Sequence, residues 1–192
     1  MAGEVVVPVR LTVANQLTLL RILLIPPFAV LTLYGYIGAA LIVFATAGIT
    51  DLLDGMTARL TRQRSSLGAW LDPMADKLLL LAALIVLTLP GTKVVNHMPL
   101  WLTVLIISRD VVIVGVVAVV NLAIGPRTFY PSIWGKLATA TYIGTGVAFM
   151  VFNYLGRTSP IIDAGVWASL AVTLISSFDY FLKMRRLINE GH

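Results

Sequence analysis

Four aspartates, Asp51, Asp54, Asp72 and Asp76, lie close together in a chain where only 9 of 192 residues are Asp or Glu. Asp51 and Asp54 are three residues apart, and Asp72 and Asp76 are four apart, so each pair shares one face of a helix. Four carboxylates that converge repel one another and cannot all stay ionised without a cation. The spacing therefore indicates a divalent metal site.

The available ligands narrow the choice of metal. The aspartates are hard oxygen donors, the chain has no cysteine, and neither His97 nor His192 is near them in sequence. Such a ligand set favours Mg²⁺ or Mn²⁺ over Zn²⁺. Because Mg²⁺ usually completes its shell with waters and substrate phosphates, a phosphate-containing substrate is expected.

The composition is that of a membrane protein. Hydrophobic residues make up 58% of the chain and charged residues 12%, with a mean hydropathy of +0.92. A soluble domain of this size needs more charge to cover its surface. The net charge of +5 comes from basic residues in short segments between apolar runs. This pattern is typical of contact with anionic lipid headgroups, so we expect no nucleic-acid partner.

The apolar runs predict an all-α integral membrane protein with a single domain over residues 1–192. Residues 1–14 are expected to form a cytoplasmic N-terminal segment, and residues 185–192 a cytoplasmic tail. Six transmembrane helices are predicted, at residues 16–35, 37–60, 73–90, 99–124, 133–155 and 161–184.

The distribution of basic residues predicts the orientation in the membrane. Arg59, Arg62 and Arg64 lie between the second and third predicted helices, whereas the opposite end carries only Lys93, His97 and Arg157. Basic loops stay on the cytoplasmic side, so both termini are expected there. The aspartates then place the active site at the cytoplasmic ends of helices two and three.

The aspartate stretch resembles the CDP-alcohol phosphatidyltransferase family, whose signature is D-x2-D-G-x2-A-R-x8-G-x3-D-x3-D. The resemblance implies a multi-pass enzyme of the bacterial inner membrane, usually a homodimer. It implies transfer of a phosphatidyl group from CDP-diacylglycerol to an alcohol, with release of CMP. The signature is met in full by Asp51, Asp54, Gly55, Ala58, Arg59, Gly68, Asp72 and Asp76.

The resemblance also implies roles for these residues. All four aspartates are expected to contribute to holding two divalent ions, Mg²⁺ or Mn²⁺, with the first three bearing most of this role. Asp76 is expected to be the catalytic base on the acceptor hydroxyl. The CDP group is expected to bind at Asp51, Asp54, Gly55, Ala58, Arg59 and Gly68.

Basic residues outside the signature are candidates for the acceptor site. Arg109 and Lys136 are predicted at the cytoplasmic sides of the fourth and fifth helices, where they could bind an acceptor phosphate. Arg127 and Arg21 are weaker candidates. An alternative is that Arg109 pairs with Asp110 or another helix, because charged side chains within the membrane need partners.

Two subfamilies compete for the acceptor. "NQLTLLRILLIPPF" and "GKLAT" resemble the bacterial enzymes that use glycerol 3-phosphate, whereas "IISRDVVIVG" resembles the CDP-alcohol type of cardiolipin synthase, which uses phosphatidylglycerol. Inositol phosphate and serine are further acceptors in the family. We predict glycerol 3-phosphate and keep phosphatidylglycerol as the alternative.

A divalent-cation or proton-coupled transporter is a hypothesis of a different class. It would explain carboxylates within membrane helices. It also requires a polar path across the whole membrane, and little charge lies between the aspartates and Arg157 and Asp163 at the far end. It leaves the glycines and Arg59 of the signature unexplained, so the enzyme is favoured.

Overall fold

The computed structural model describes residues 13–61, 66–124 and 132–189. Within these ranges all regular structure is α-helical, as the apolar runs predict. Residues 1–12 of the predicted N-terminal segment 1–14, and residues 190–192 of the predicted tail 185–192, lie outside the described residues. The helices are α1 (Val13–Leu33), α2 (Ile37–Thr61), α3 (Ser66–Thr88), α4 (Leu100–Ile124), α5 (Ile133–Tyr154) and α6 (Pro160–Asn189).

Two predicted boundaries are wrong. The third helix begins at Ser66, whereas its predicted start is residue 73. The prediction followed hydropathy, which rises only after Asp72, but the backbone is already helical from Ser66 onwards. Pro73 removes one backbone hydrogen bond without ending this helix. The sixth helix continues to Asn189, so residues 185–189 of the predicted tail are helical. Lys and Arg form helices well, and a drop in hydropathy does not end one.

The connections after α1, α3 and α5 lie together at one end of the bundle. Consecutive helices therefore run in opposite directions. Gly35, with φ of +83°, is so close to the α3–α4 connection that an added Cβ would lie 2.8 Å from Cβ of Lys93. Asn96 donates its backbone N–H to Oδ1 of Asn153 at 2.6 Å. The Asn96 side chain also donates to the carbonyl of Arg157 at 2.9 Å. These contacts tie the three connections together.

The core lies where α1 packs against α2 and α3, and where α5 packs against α6. The rings of Phe28 and Phe44 are 5.4 Å apart between α1 and α2, beside the fully buried Ala40. Large apolar side chains also cover the outside; Leu122, for example, is 87% exposed. A helix bundle that is apolar both inside and outside suits a hydrocarbon environment.

Two segments of the described residues are long and apolar enough to cross a bilayer by length and composition. They are Gln16–Leu33 in α1 and Pro160–Arg185 in α6. The apolar part of α2, Ile37–Thr50, is shorter. The predicted set of six spans therefore stays a prediction.

Replacing Asn153 by Ala is expected to destabilise the bundle. Asn153 is 6% exposed, and it bonds both the backbone N–H and the backbone carbonyl of Asn96, the latter at 3.0 Å. The variant leaves these two buried groups unpaired, which costs about 1–3 kcal/mol for each group. Thermal unfolding of the purified protein in detergent measures the effect.

Thr46→Val is the control for this variant. The Thr46 hydroxyl donates to the carbonyl of Ile42 in its own helix and is exposed, so no buried group loses its partner. We expect an unchanged unfolding temperature for this variant. Equal stability of the Asn153→Ala protein and the wild type would contradict the role of Asn153 in joining the connections.

Candidate active site

The signature aspartates all lie within helices. Asp51 and Asp54 are in the last turns of α2, and Asp72 and Asp76 are within α3 instead of at its first turn. The backbone thus keeps each pair on one helix face, as the spacing predicts. Of the four side chains only that of Asp76 is described. The side chains of Asp51, Asp54, Ala58, Arg59 and Asp72, and the surroundings of Gly55 and Gly68, lie outside the described part.

Asp76 forms an ion pair with Arg21 of α1. Nη1 of Arg21 lies 2.6 Å from Oδ1 of Asp76; the Arg21 side chain is fully buried and that of Asp76 is 49% exposed. Leu79 and Ala83, one and two turns further along α3, are buried. Asp76 therefore lies on the face of α3 that turns towards the bundle, at a point where the other helices leave it accessible.

Lys77, next to Asp76 in sequence, begins a second set of contacts that reaches α4. Its Nζ lies 2.8 Å from Oδ2 of Asp110, and the other Asp110 oxygen lies 2.5 Å from Nη1 of Arg109. One carboxylate thus holds two cations from different helices. Together Arg21, Asp76, Lys77, Arg109 and Asp110 form what we call the charged cluster.

Arg109 links the charged cluster to α5 and α6. Its Nη2 donates to the hydroxyl of Ser176, and its guanidinium carbon lies 5.6 Å from the ring centroid of Tyr180. Arg109 also lies beside α5, since a Cβ added at Gly135 would be in ordinary van der Waals contact with Nη2 of Arg109, at 3.5 Å. The side chain is 8% exposed. These contacts agree with the alternative hypothesis that Arg109 pairs with Asp110 and with another helix. Binding of an acceptor by Arg109 stays a prediction.

The other two acceptor candidates are Lys136 and Arg127. Lys136 is exposed near the start of α5, and Arg127 lies outside the described residues. Next to Lys136, the Ser132 hydroxyl donates to Oδ2 of Asp179 in α6, which is also 3.0 Å from Nζ of Lys183. The first turn of α5 is therefore fixed to α6, with the Lys136 side chain on the surface.

A row of buried hydroxyls joins α5 to α6. The Tyr142 hydroxyl is 2.7 Å from Oγ1 of Thr173, and the Thr145 hydroxyl is 3.0 Å from Oγ of Ser169. These polar contacts fix how α5 and α6 pack, because unpaired hydroxyls in an apolar interior are costly. These hydroxyls could not be predicted from the sequence, since Ser and Thr are common in membrane helices and carry no spacing signal.

Two residues of the charged cluster were undervalued from the sequence. From the sequence, Arg21 is predicted only as a weaker candidate for binding the acceptor, and no role is predicted for Lys77. The signal for both was available, because a charged residue within an apolar helix needs a partner. The partner itself could not be identified, since Arg21 and Asp76 are far apart in sequence.

The family profile of the CDP-alcohol phosphatidyltransferases matches residues 11–176 of this chain. The match covers more than half of the chain and includes the whole aspartate signature. The chain belongs to the CDP-alcohol phosphatidyltransferase family. The family assignment made from the signature is confirmed, and with it the prediction of a transferase of phospholipid biosynthesis.

Similar proteins carry related names. A probable phosphatidylglycerophosphate synthase of Mycobacterium tuberculosis is 34% identical over 179 residues, covering 90% of this chain and 81% of the relative. The CDP-diacylglycerol–glycerol-3-phosphate 3-phosphatidyltransferase of Bacillus subtilis is 32% identical over 186 residues, covering 88% and 93%. Human cardiolipin synthase (CMP-forming) is 34% identical over 197 residues, covering 92% of this chain and 63% of the human protein.

The divalent metal predicted from the aspartate signature stays a prediction, although the chemistry of the ligands suits it. The ligands are carboxylates in two helical pairs, and the described member, Asp76, is half-exposed instead of buried in the core. Three of the four aspartate side chains lie outside the described part, and within that part no group of three or more metal-binding side chains occurs. Oxygen donors of this kind suit Mg²⁺ or Mn²⁺.

Proposed function

We propose that this enzyme transfers the phosphatidyl group of CDP-diacylglycerol to glycerol 3-phosphate and releases CMP. The observation that carries the proposal is the complete aspartate signature in a chain that aligns along most of its length with the B. subtilis glycerol-3-phosphate transferase. The M. tuberculosis relative, named for the product of the same reaction, supports the same acceptor.

The proposed chemistry is a single displacement. A hydroxyl of the acceptor gives its proton to the Asp76 carboxylate as its oxygen forms a bond to the lipid-bearing phosphorus. The bond between this phosphorus and the bridging oxygen of the diphosphate breaks, and CMP leaves with the electron pair. An alcohol is a poor nucleophile until its proton is removed, so a positioned carboxylate is needed. The half-exposed Asp76 side chain can be reached by an acceptor.

The other aspartates are proposed to hold two divalent ions. Asp51, Asp54 and Asp72 would bind Mg²⁺ or Mn²⁺ from adjacent turns of α2 and α3, with Asp76 at the edge of the set. When bound, such ions neutralise charge on a diphosphate and on its leaving group. Asp51 and Asp54, with Gly55, Ala58, Arg59 and Gly68, are proposed to bind the CDP group.

The same proposal includes the arrangement in the membrane. All six helices would span the bilayer as one domain over residues 1–192, with both termini and the aspartates on the cytoplasmic side. The alternating helix directions and the apolar outer surface support this arrangement. A homodimer in a bacterial inner membrane is proposed from the family resemblance.

The acceptor phosphate is proposed to bind near the start of α5. Lys136 is exposed there, and Arg127 precedes it in sequence. Arg109 lies nearby, and its buried Nε has no hydrogen-bond partner among the described residues, so it keeps one donor for a ligand or water. Phosphatidylglycerol remains the second candidate acceptor, because the human cardiolipin synthase is as similar as the bacterial relatives.

Release of CMP from CDP-diacylglycerol by the purified protein tests the proposal. We expect Mg²⁺-dependent release with glycerol 3-phosphate, and a product that carries two phosphates. Phosphatidylglycerol, inositol phosphate and serine, each supplied alone, are the matched controls. Release with phosphatidylglycerol and not with glycerol 3-phosphate would replace the acceptor and leave the mechanism in place. No release with any of these alcohols would contradict the proposed reaction.

A further inference from the structure

We propose that Arg21 is a positioning residue of the transfer reaction: its guanidinium holds Oδ1 of Asp76 and thereby fixes the direction in which the other carboxylate oxygen faces the acceptor hydroxyl. The inference rests on the proposed function, because it takes Asp76 as the general base. It assigns to α1, which carries no residue of the aspartate signature, a part in catalysis.

Arg21 is buried although it carries a charge. Its side chain is fully buried in α1, within the apolar segment Gln16–Leu33. Removing a guanidinium from water is costly unless charged partners compensate, and an intramembrane charge is by default a functional feature. An apolar residue would join α1 to α3 at lower cost. The presence of Arg at this point is therefore better explained by what it does to Asp76 than by stability.

Arg21 is held on a tightly packed face of α1. Thr18, Arg21, Phe28 and Thr32 are fully buried and recur at helical spacing, so one face of α1 is packed against its neighbours along most of its length. The backbone that carries Arg21 is therefore held in place, and Nη1 of Arg21 donates from it to Oδ1 of Asp76 at 2.6 Å. A guanidinium is planar and presents its donors in a fixed fork, which orients a carboxylate better than an ammonium does.

The two members of the ion pair differ in exposure. Arg21 is fully buried, whereas the Asp76 side chain is 49% exposed. A ligand can therefore reach Asp76, and the buried guanidinium acts on the reaction through that carboxylate. An Asp side chain without a fixed partner rotates about its last bond, and a displacement of 1 Å in a reacting group can cost about 100-fold in rate.

Arg21→Met and Arg21→Lys test the proposal in the full-length enzyme, with kcat and KM measured for CDP-diacylglycerol and for glycerol 3-phosphate. We expect Arg21→Met to lower kcat about 100-fold, with both KM values within about threefold of wild type. Arg21→Lys keeps the charge but offers a single point donor, so it should restore about a tenth of the wild-type kcat.

The same substitution in an Asp76→Asn background separates positioning from general structural support. If Arg21 acts through Asp76, Arg21→Met should change the residual rate of Asp76→Asn by less than about threefold, because coupled residues are not additive. A structural role would give the same loss in both backgrounds. An equal loss in both would overturn the proposal.

Thr32→Val is the matched control on α1. Thr32 is buried on the same face as Arg21, and its hydroxyl donates only within α1, to the carbonyl of Phe28 at 2.9 Å. We expect wild-type kcat for this variant, with unfolding temperatures recorded for every protein. If Arg21→Met does not fold, Arg21→Lys decides: wild-type kcat, or a change in KM alone, would overturn the proposal.

The failure of this inference can be distinguished from failure of the proposed function. Loss of turnover in Asp76→Asn with wild-type kcat in the Arg21 variants would overturn only the positioning role. Wild-type turnover in Asp76→Asn would instead remove Asp76 as the base, and the role of Arg21 with it.

Discussion

Asp76→Asn is expected to lower CMP release by about a thousandfold while the protein stays folded, since a positioned general base contributes about 10²–10⁴ in rate. The amide cannot take the proton of the attacking hydroxyl at neutral pH. Its oxygen still accepts a hydrogen bond, so it can keep the contact that Nη1 of Arg21 makes at 2.6 Å. The loss should therefore fall on kcat, with little change in the KM for CDP-diacylglycerol.

The measurement is steady-state CMP release with glycerol 3-phosphate, supported by the unfolding temperature in detergent. Asp163→Asn is the matched control, because Asp163 is an exposed carboxylate in the first turn of α6, at the opposite end of the bundle. It should keep wild-type turnover. Near wild-type release by a folded Asp76→Asn protein would contradict the general-base role.

The helical layout could be predicted from the sequence because it depends on apolar runs. The predicted ends of α1, α2, α4 and α5 agree with the structure to within three residues. The start of α3 was wrong because hydropathy reports burial in lipid, whereas the helix begins at Ser66 in a polar stretch. The extension of α6 to Asn189 was missed for the same reason.

The candidate site could be predicted only where its residues are close in sequence. The aspartate signature is local, since each pair shares a helix face by spacing alone. The contact between Arg21 and Asp76 joins residues that are 55 positions apart, and that between Lys77 and Asp110 joins residues 33 apart. Such pairs depend on how α1, α3 and α4 pack. A single sequence shows that each charge needs a partner but not which partner it has.

Removal of divalent metal is expected to abolish CMP release completely, and addition of Mg²⁺ or Mn²⁺ in excess of the chelator should restore it. The proposed ligands are carboxylates that would otherwise repel one another and the diphosphate of the substrate. Ca²⁺ should restore much less activity, because it prefers longer bonds and a larger shell than Mg²⁺. Full activity in excess chelator would contradict a metal-dependent mechanism.

Asp54→Asn identifies which residues hold the metal. Loss of one carboxylate ligand should raise the Mn²⁺ concentration for half-maximal binding at least about tenfold. Mutation of residues that only hydrogen-bond to metal ligands already weakens metal binding by about that factor. Electron paramagnetic resonance of free Mn²⁺ measures binding directly, without relying on turnover. Asp163→Asn, with its carboxylate at the far end of the bundle, should bind Mn²⁺ like the wild type. Weaker Mn²⁺ binding in Asp54→Asn but not in Asp163→Asn would assign the metal to the aspartate signature. Equal Mn²⁺ binding by the two variants would show that Asp54 is not a metal ligand.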